Sequence, residues 1–502
     1  MPIQTQPAVK PGTTIPPRPR SQRYTRLRKI GLPNFIALAL FILVVCVGYY
    51  HTHKPLPAGI SYESQAYPLQ TVEFLYDLTY KHEGTVKHDQ MIFKEILKSI
   101  RLAKEFIVID LFLYNGYYDK DQSYPPLSRS LTNTLLAQKS KYPQLKIIVI
   151  SDEINTDYGS HPAPEFQRLK AAGIPVILTD VDPLRDSTPA YSGLWRTFIQ
   201  WFGQAGNGWI PNLMADQAPD LTARSYMKLL NVKANHRKVI VTENTAIIPT
   251  ANAHDASSWH SNTAIKMSGP IISDILLSEQ AAAALSSDIK LPEHNPQEKT
   301  SERPGPYQTR LLTEGKIYKY VLTSIREADR DDSIRMAMFY LADPNVLDAL
   351  VQAANRGVKV QLILDPNENA FGRDKIGLPN RPVAEELHKK TDGKIDIRWY
   401  NTSEEQFHTK MMIVQGPKQT TLHNGSANFT TRNLDDLNLE TNVMITASNE
   451  SPLMNDVTKY FDKLWMNKGA EYTLDRSAYR DDMLPLQRFL YHVQTWLGFT
   501  TF

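Results

Sequence analysis

Two short blocks of this sequence pair a histidine with a lysine two residues on, then run into apolar residues. They are Asn235-His236-Arg237-Lys238 ahead of Val239-Ile240-Val241, and Phe407-His408-Thr409-Lys410 ahead of Met411-Met412-Ile413-Val414. On a strand, residues two apart share a face, so each histidine projects together with its lysine from a rigid element. An imidazole can act as a nucleophile or move a proton near neutral pH, and an adjacent ammonium suits a substrate that carries or develops negative charge. Alone, His-x-Lys says little: among 13 histidines, roughly one chance match is expected, so structural context has to decide. His388-Lys389-Lys390 is the internal control. It leads into polar Thr391-Asp392-Gly393-Lys394 with no strand behind it, and reads as a solvated helix end.

The other two blocks keep matching company. Each is followed by a small-residue turn ending in asparagine, Pro249-Thr250-Ala251-Asn252 and Gly425-Ser426-Ala427-Asn428. Further on, Ser261-Asn262-Thr263-Ala264-Ile265 lines up with Leu439-Glu440-Thr441-Asn442-Val443. Three aligned elements, twice in the same order, argue against coincidence.

The elements needed to position these blocks also come in two sets. Residues 106–113 (FIVIDLFL) and 146–150 (KIIVI) read as buried strands, residues 165–173 as a helix ending at a glycine, and 175–179 as a further strand. In the second set a helix opens at Asp343-Pro344-Asn345, keeps Val346, Leu350, Val351 and Ala354 on one face, and ends at Gly357 before the strand 358–364 (VKVQLIL). KIIVISDE thus answers KVQLILDP at the scale of a whole domain. Such alternation predicts the α/β class, with a largely parallel central sheet in each half. The halves are expected at 69–290 and 308–475, joined by a polar, proline-containing linker at 291–307.

The first half carries an insertion, residues 182–230, rich in aromatics: Trp195, Phe198, Trp201, Phe202 and Trp209. Two readings stand, ordinary packing or a lid or lipid-facing wall. The last segment, 476–502, places Leu486, Phe489, Leu490, Val493, Trp496 and Leu497 at helical spacing, for docking on the core or lying in a membrane interface.

Composition bounds the rest. The 502 residues include one cysteine, Cys46, inside an apolar run, so no disulfide can form within the chain. Residues 1–29 hold seven basic groups and no acid, and subtracting those seven from the net charge of +3 leaves the remainder at −4. That is a poor balance for a general polyanion binder, so no nucleic-acid partner is expected. Residues 30–50 (IGLPNFIALALFILVVCVGYY) have the length of a membrane-spanning helix. The positive charge before them predicts a cytoplasmic tail and a body outside the inner membrane. A cleaved signal peptide is the rival reading, but GYYHTHKPLP offers no small-x-small site.

In these residues the chain resembles the phospholipase D superfamily, whose half-site is His-x-Lys, four residues, Asp, then Gly-Ser-x-Asn and a downstream Glu. The resemblance covers about residues 70–475 and extends to bacterial cardiolipin synthase-like members, through the stretch NLDDLNLETN. In the second half His408, Lys410, Gly425, Ser426, Asn428 and Glu440 match, with Gln415 at the aspartate position. In the first, His236, Lys238 and Asn252 match, with Glu243 at the aspartate position, Thr250 for the serine and Asn262 for the glutamate.

The resemblance implies two phospholipase D-like α/β halves in a pseudo-twofold arrangement, and the apolar run at 30–50 places a transmembrane helix ahead of them. It implies that one histidine attacks phosphorus to form a phosphohistidine while the other protonates the leaving oxygen. Lys238, Lys410, Asn252 and Asn428 would hold the phosphoryl oxygens, with no metal or cofactor required. A carboxylate behind a histidine favours its charged form, so Glu440 is expected to keep His408 protonated as the acid, and Asn262 to leave His236 nucleophilic. The expected substrate is a phospholipid, handled by a phosphatidyltransferase or a phospholipase D-type hydrolase. A membrane-tethered nuclease of the same superfamily and a non-catalytic scaffold are the competing readings. Head group, acceptor and oligomeric state have no signature in the sequence.

Overall fold

A computed structural model describes residues 32–119, 122–213, 215–294, 304–370, 373–479 and 493. The basic tail, most of the predicted linker and nearly all of the C-terminal amphipathic segment lie outside the described residues. Residues up to Leu43 fall in one unit and those from Val44 onward in another. The apolar run forms the helix Leu32–His53, long and apolar enough to cross a membrane.

From Val44 on, the described residues build two large sheets. The first has eight strands in the order Thr85–Asp89, Val72–His82, Asn262–Met267, Ala246–Pro249, Lys238–Thr242, Phe106–Leu111, Lys146–Asp152, Val176–Thr179. The second has nine: Tyr67–Leu69, Tyr307–Thr313, Thr441–Ser448, Gln419–Gly425, Lys410–Gln415, Ser333–Met338, Lys359–Leu364, Ile395–Tyr400, Thr473–Asp475. Apart from edge strands the two orders are the same, and each His-x-Lys strand sits mid-sheet, antiparallel to the strand that opens the β-α-β part of its half, Phe106–Leu111 or Ser333–Met338.

The sheets are mixed, not largely parallel as the alternating pattern suggested. Only the β-α-β part of each half is parallel, Phe106–Leu111 with Lys146–Asp152 and Val176–Thr179, and its counterpart in the second half. From each His-x-Lys strand onward the neighbours are antiparallel: a tight three-residue turn makes the first hairpin, and a longer loop returns the chain for the next strand. The chain just ahead of the first half also takes part in the second sheet. Tyr67–Leu69 pairs with Tyr307–Thr313 at the edge of the second sheet, so chain preceding the first half completes the other one.

Alternation along the strands builds the layers. Ile107, Ile109, Ile147 and Val149 face outward to helices Ile92–Leu102, Leu127–Lys141 and Pro164–Ala171. Helices Gly315–Glu327, Pro344–Arg356 and Asn380–Lys390 cover the second sheet in the same way. The opposite faces share one core in which Val108, Ile148, Val239 and Val241 belong with Ile363, Met411, Ile413 and Ile445. The predicted helix at 343–357 is Pro344–Arg356, with the Asp343 side chain accepting the N–H groups of Asn345 and Val346 and Gly357 closing it at φ +96°.

Candidate active site

Each histidine lies just before the strand that carries its lysine, and each is held by a carboxylate at the end of a parallel strand. Asp152 accepts the Asn235 N–H at 2.7 Å, and Asp365 accepts the Phe407 N–H at 2.6 Å. Those residues close KIIVISD and KVQLILD, so the internal similarity places one clamp in each half. Burial raises both carboxyls to about 7. Asn235 is fixed again through its amide nitrogen on Asp110.

Two short bridges then bring the halves together. Asn235 pairs in parallel with Leu439, and Ser261 with Phe407. The His236 N–H donates to the Leu439 carbonyl at 2.9 Å, and the Ser261 N–H to the Gln406 carbonyl at 3.0 Å. The residue after each partner is therefore delivered to the other half's histidine. His236 Nδ1 lies 2.8 and 3.0 Å from the two Glu440 oxygens. His408 Nδ1 lies 3.2 Å from Asn262 Oδ1. This reverses the expected pairing, in which Glu440 served His408 and Asn262 served His236. Aligning each half by itself paired residues within a half, whereas the interface bridges exchange them.

The supporting hydroxyls follow the same crossed symmetry. Ser426 donates to Glu440 and its oxygen accepts the Thr441 N–H at 2.9 Å. Thr250 donates to Asn262 Oδ1 at 2.9 Å and accepts the Thr263 N–H at 3.0 Å. Asn433 also donates to Glu440. Since an ionised carboxylate only accepts hydrogen bonds, His236 presents its Nδ1–H to Glu440 and keeps Nε2 free for chemistry.

Lys238 Nζ donates to the carbonyl of His236 and Lys410 Nζ to that of His408, each at 2.9 Å. The ammonium groups also sit over Phe112 and Phe339, at 5.4 and 4.9 Å from the ring centroids. The same rings pack on the histidines, Phe112 on His236 at 4.9 Å and Phe339 on His408 at 5.0 Å. Among the described residues, the buried side-chain oxygens of Asn252 and Asn428 have no hydrogen-bond partner. An unpaired buried amide oxygen is costly unless a hydrogen-bond donor completes it.

Burial dominates the electrostatics. It lowers His236 to about 4 against the pull of Glu440, and lowers Lys238 to about 8. His408 lies well below the ordinary histidine value, through burial and then the neighbouring Lys410. Lys410 is likewise pushed well down by burial and by Lys238. Burial opposes ionisation of Glu440, but His236 and Lys238 hold its carboxyl below the usual range. The site is thus a low-dielectric cluster of four basic groups around one anion, an arrangement suited to a substrate that carries negative charge.

All eight predicted site residues, His236, Lys238, His408, Lys410, Asn252, Asn428, Ser426 and Glu440, are buried. Glu243 and Gln415, at the two aspartate positions, are not part of the cluster. Glu243 follows the far end of its strand and accepts the N–H groups of Lys104 and Phe106, while Gln415 ends its own strand. Sequence reasoning passed over Asp152, Asp365, Phe112 and Phe339, although all four occupy corresponding places in the repeat. It also passed over His260, whose ring lies 6.0 Å from His408 and whose Nδ1 accepts the Gln406 N–H. Nothing in the sequence around His260 marks it.

Residues 321–465 match the family model described as cardiolipin synthase, PLD-like domain. That match covers 145 of the 502 residues, all of them in the second half of the chain. Its fold is similar to that of phosphatidylserine synthase from Haemophilus influenzae Rd KW20, with a TM-score of 0.56 at 11% identity over 91% of this chain and 98% of that one. A phospholipase D family member, Nuc from Salmonella typhimurium, is 24% identical over 35% of this chain and 99% of its own, with a TM-score of 0.27. No curated protein matches the chain.

Proposed function

We propose that the chain is a membrane-anchored phospholipid enzyme that transfers a phosphatidyl group through a phosphohistidine on His236. The observation that carries this is the crossed support of the two histidines: a charged partner under His236 and a neutral one under His408. In the first step the Nε2 lone pair of His236 attacks phosphorus. The bond from phosphorus to the leaving oxygen breaks, and His408 gives that oxygen a proton. Positive charge grows on the ring of His236 and leaves the ring of His408. A carboxylate belongs under the first and a neutral amide under the second, because an interaction accelerates the step only if it strengthens in the transition state. His236 therefore keeps the nucleophilic role expected of it, for a different reason.

In the second step an alcohol or water attacks the phosphohistidine, the P–N bond breaks, and neutral His408 takes the attacker's proton. Lys238, Lys410, Asn252 and Asn428 hold the phosphoryl oxygens throughout. An alcohol acceptor on a second lipid gives a cardiolipin synthase-like reaction, and water gives phosphatidic acid. The helix Leu32–His53 supplies the anchor, with the basic tail cytoplasmic and the catalytic body on the outer face of the inner membrane.

The test is a product assay on vesicles of mixed phospholipids with EDTA present, comparing wild type with His236→Ala and His408→Ala. A transferred phosphatidyl product lost in both variants supports the transferase, and phosphatidic acid alone identifies a hydrolase. Unchanged lipid with cleavage of single-stranded nucleic acid overturns the lipid reading in favour of the nuclease.

A further inference from the structure

The insertion at 182–230 is fastened to the base of the apolar helix. Gly48, the buried residue of Leu32–His53, lies so close to Pro189–Leu194 that a Cβ there would meet the Pro189 carbonyl at 3.2 Å and Gly193 Cα at 3.3 Å. A Cβ on Gly193 would lie 2.3 Å from the Val44 carbonyl. Just beyond, the Asp186 N–H donates to the His51 carbonyl at 3.0 Å, Lys54 Nζ to the Asp182 carbonyl at 2.6 Å, and Arg185 Nε to the Lys54 carbonyl at 3.0 Å. Neither backbone can withdraw from the other without breaking this seam.

The contact fixes depth. The apolar run ends at Tyr49-Tyr50, residues that favour the boundary between acyl chains and head groups. Val44 stands six residues before Tyr50, about 9 Å deeper at the rise of an α-helix. Whatever packs on Val44 and Gly48 lies at that boundary or just beneath it. Helical structure continues from Pro189–Leu194 through Trp195–Ile199 to Gln200–Phe202. Trp195 turns inward and is buried, but Trp201 is 74% exposed, Phe202 71% and Trp209 71%, with Leu194, Phe198 and Leu213 also exposed. The Trp201 indole N–H is already given to the Thr197 carbonyl at 3.1 Å, so its ring can enter an apolar phase with no donor unpaired.

We propose that this aromatic face is a second membrane contact, seated among the head groups and upper acyl chains of the leaflet from which the helix emerges. The occupant is the bilayer, and the inference rests on the anchor reading above. The insertion runs straight into the catalytic block: Lys233 pairs with Asp186 at 2.8 Å, and His236 follows three residues later. A face held in the leaflet thereby sets the height of the site over the lipid phosphates.

The test uses the full chain with Cys46→Ser, since Cys46 is its only cysteine. Nitroxide is attached at Leu40→Cys, Phe202→Cys, Trp209→Cys or, as an aqueous control, Lys389→Cys. The protein is placed in vesicles of phosphatidylcholine and phosphatidylglycerol in equal parts. Relaxation by oxygen against a water-soluble nickel chelate then reports depth. Labels at 202 and 209 that resemble the one at 40 support the proposal. A label at 40 in lipid with 202 and 209 resembling 389 overturns it alone, and all four in water overturns the anchor reading with it. In unlabelled protein, brominated acyl chains are expected to quench tryptophan emission, with most of that quenching lost in Trp201→Tyr/Trp209→Tyr. Quenching unchanged in that variant overturns the proposal even if a cysteine variant folds poorly.

Discussion

Glu440 and Asn262 occupy equivalent places under different histidines, and their replacements are expected to fail differently. Glu440→Gln removes the charge that balances the proposed phosphohistidine ring, and kcat should fall about 10²- to 10³-fold, the usual cost of one preorganised electrostatic contact. The deficit should persist with a p-nitrophenyl phosphodiester, because that leaving group needs no acid but the nucleophile is still impaired. Asn262→Asp puts a carboxylate under His408 and makes its proton harder to give up. Its deficit should appear with lipid substrates and largely vanish with the activated ester. Equal losses on both substrates for both variants would sink the division of roles. The activated ester also isolates the pH dependence of His236. Burial lowers that imidazole to about 4, so its neutral, nucleophilic form survives well below the ordinary histidine range. The initial rate should rise as pH increases through about 4, and fall above about 8 as Lys238 loses its charge. A rise centred near 6.5 instead would mean that His236 is not desolvated in solution. The types and spacing of these residues were legible in the sequence. Their pairing was not, because it is set by two backbone bridges between segments 204 and 146 residues apart.

The strands hold the histidines through groups with their own pH dependence. Asp152 accepts the N–H groups of Asn235 and Ile154 from a fully buried position, and burial raises its carboxyl to about 7. Because its folded value is raised above the unfolded one of about 3.8, stability linked to this proton is complete below about 3.8. It is lost as pH rises through about 7. Asp152→Asn keeps one of these bonds through its single amide oxygen and does not titrate, so it lowers stability by a roughly constant amount while removing the pH-dependent part. The melting temperature of the variant relative to wild type should therefore climb between pH 4 and 7 and level off above. A flat difference across that window would show that Asp152 does not take up a proton on folding. The similarity of KIIVISDE to KVQLILDP already marked both clamps, Asp152 and Asp365, as equivalent, but period and propensity gave them no role. The same local signals found the β-α-β units of each half and missed the antiparallel remainder. Strand periodicity reports which faces are buried and is silent on direction.

At the scale of the whole molecule, neither half can be complete by itself. Val108, Val239 and Val241 of the first sheet share a core with Met411, Ile413 and Ile445 of the second, so a separated half exposes that apolar face to water. The site is divided in the same manner, since Glu440 supports His236 and Asn262 supports His408. The edge strand Tyr67–Leu69 and the Ser64 N–H to Leu311 carbonyl bond add a third tie, from chain before the first half to the second sheet. A chain cut within the predicted linker at 291–307 tests this interdependence. Each fragment expressed alone should aggregate or lack turnover of the activated ester. Co-expressed, the two should purify as one complex and recover activity, with Glu440→Gln in the second fragment slowing phosphorylation of His236 in the first. Turnover by the first fragment alone would mean that His236 works without Glu440, and the crossed arrangement would lose its catalytic meaning. The expected result would make the pseudo-twofold relation between the halves a chemical requirement: each half supplies the partner that tunes the other half's histidine.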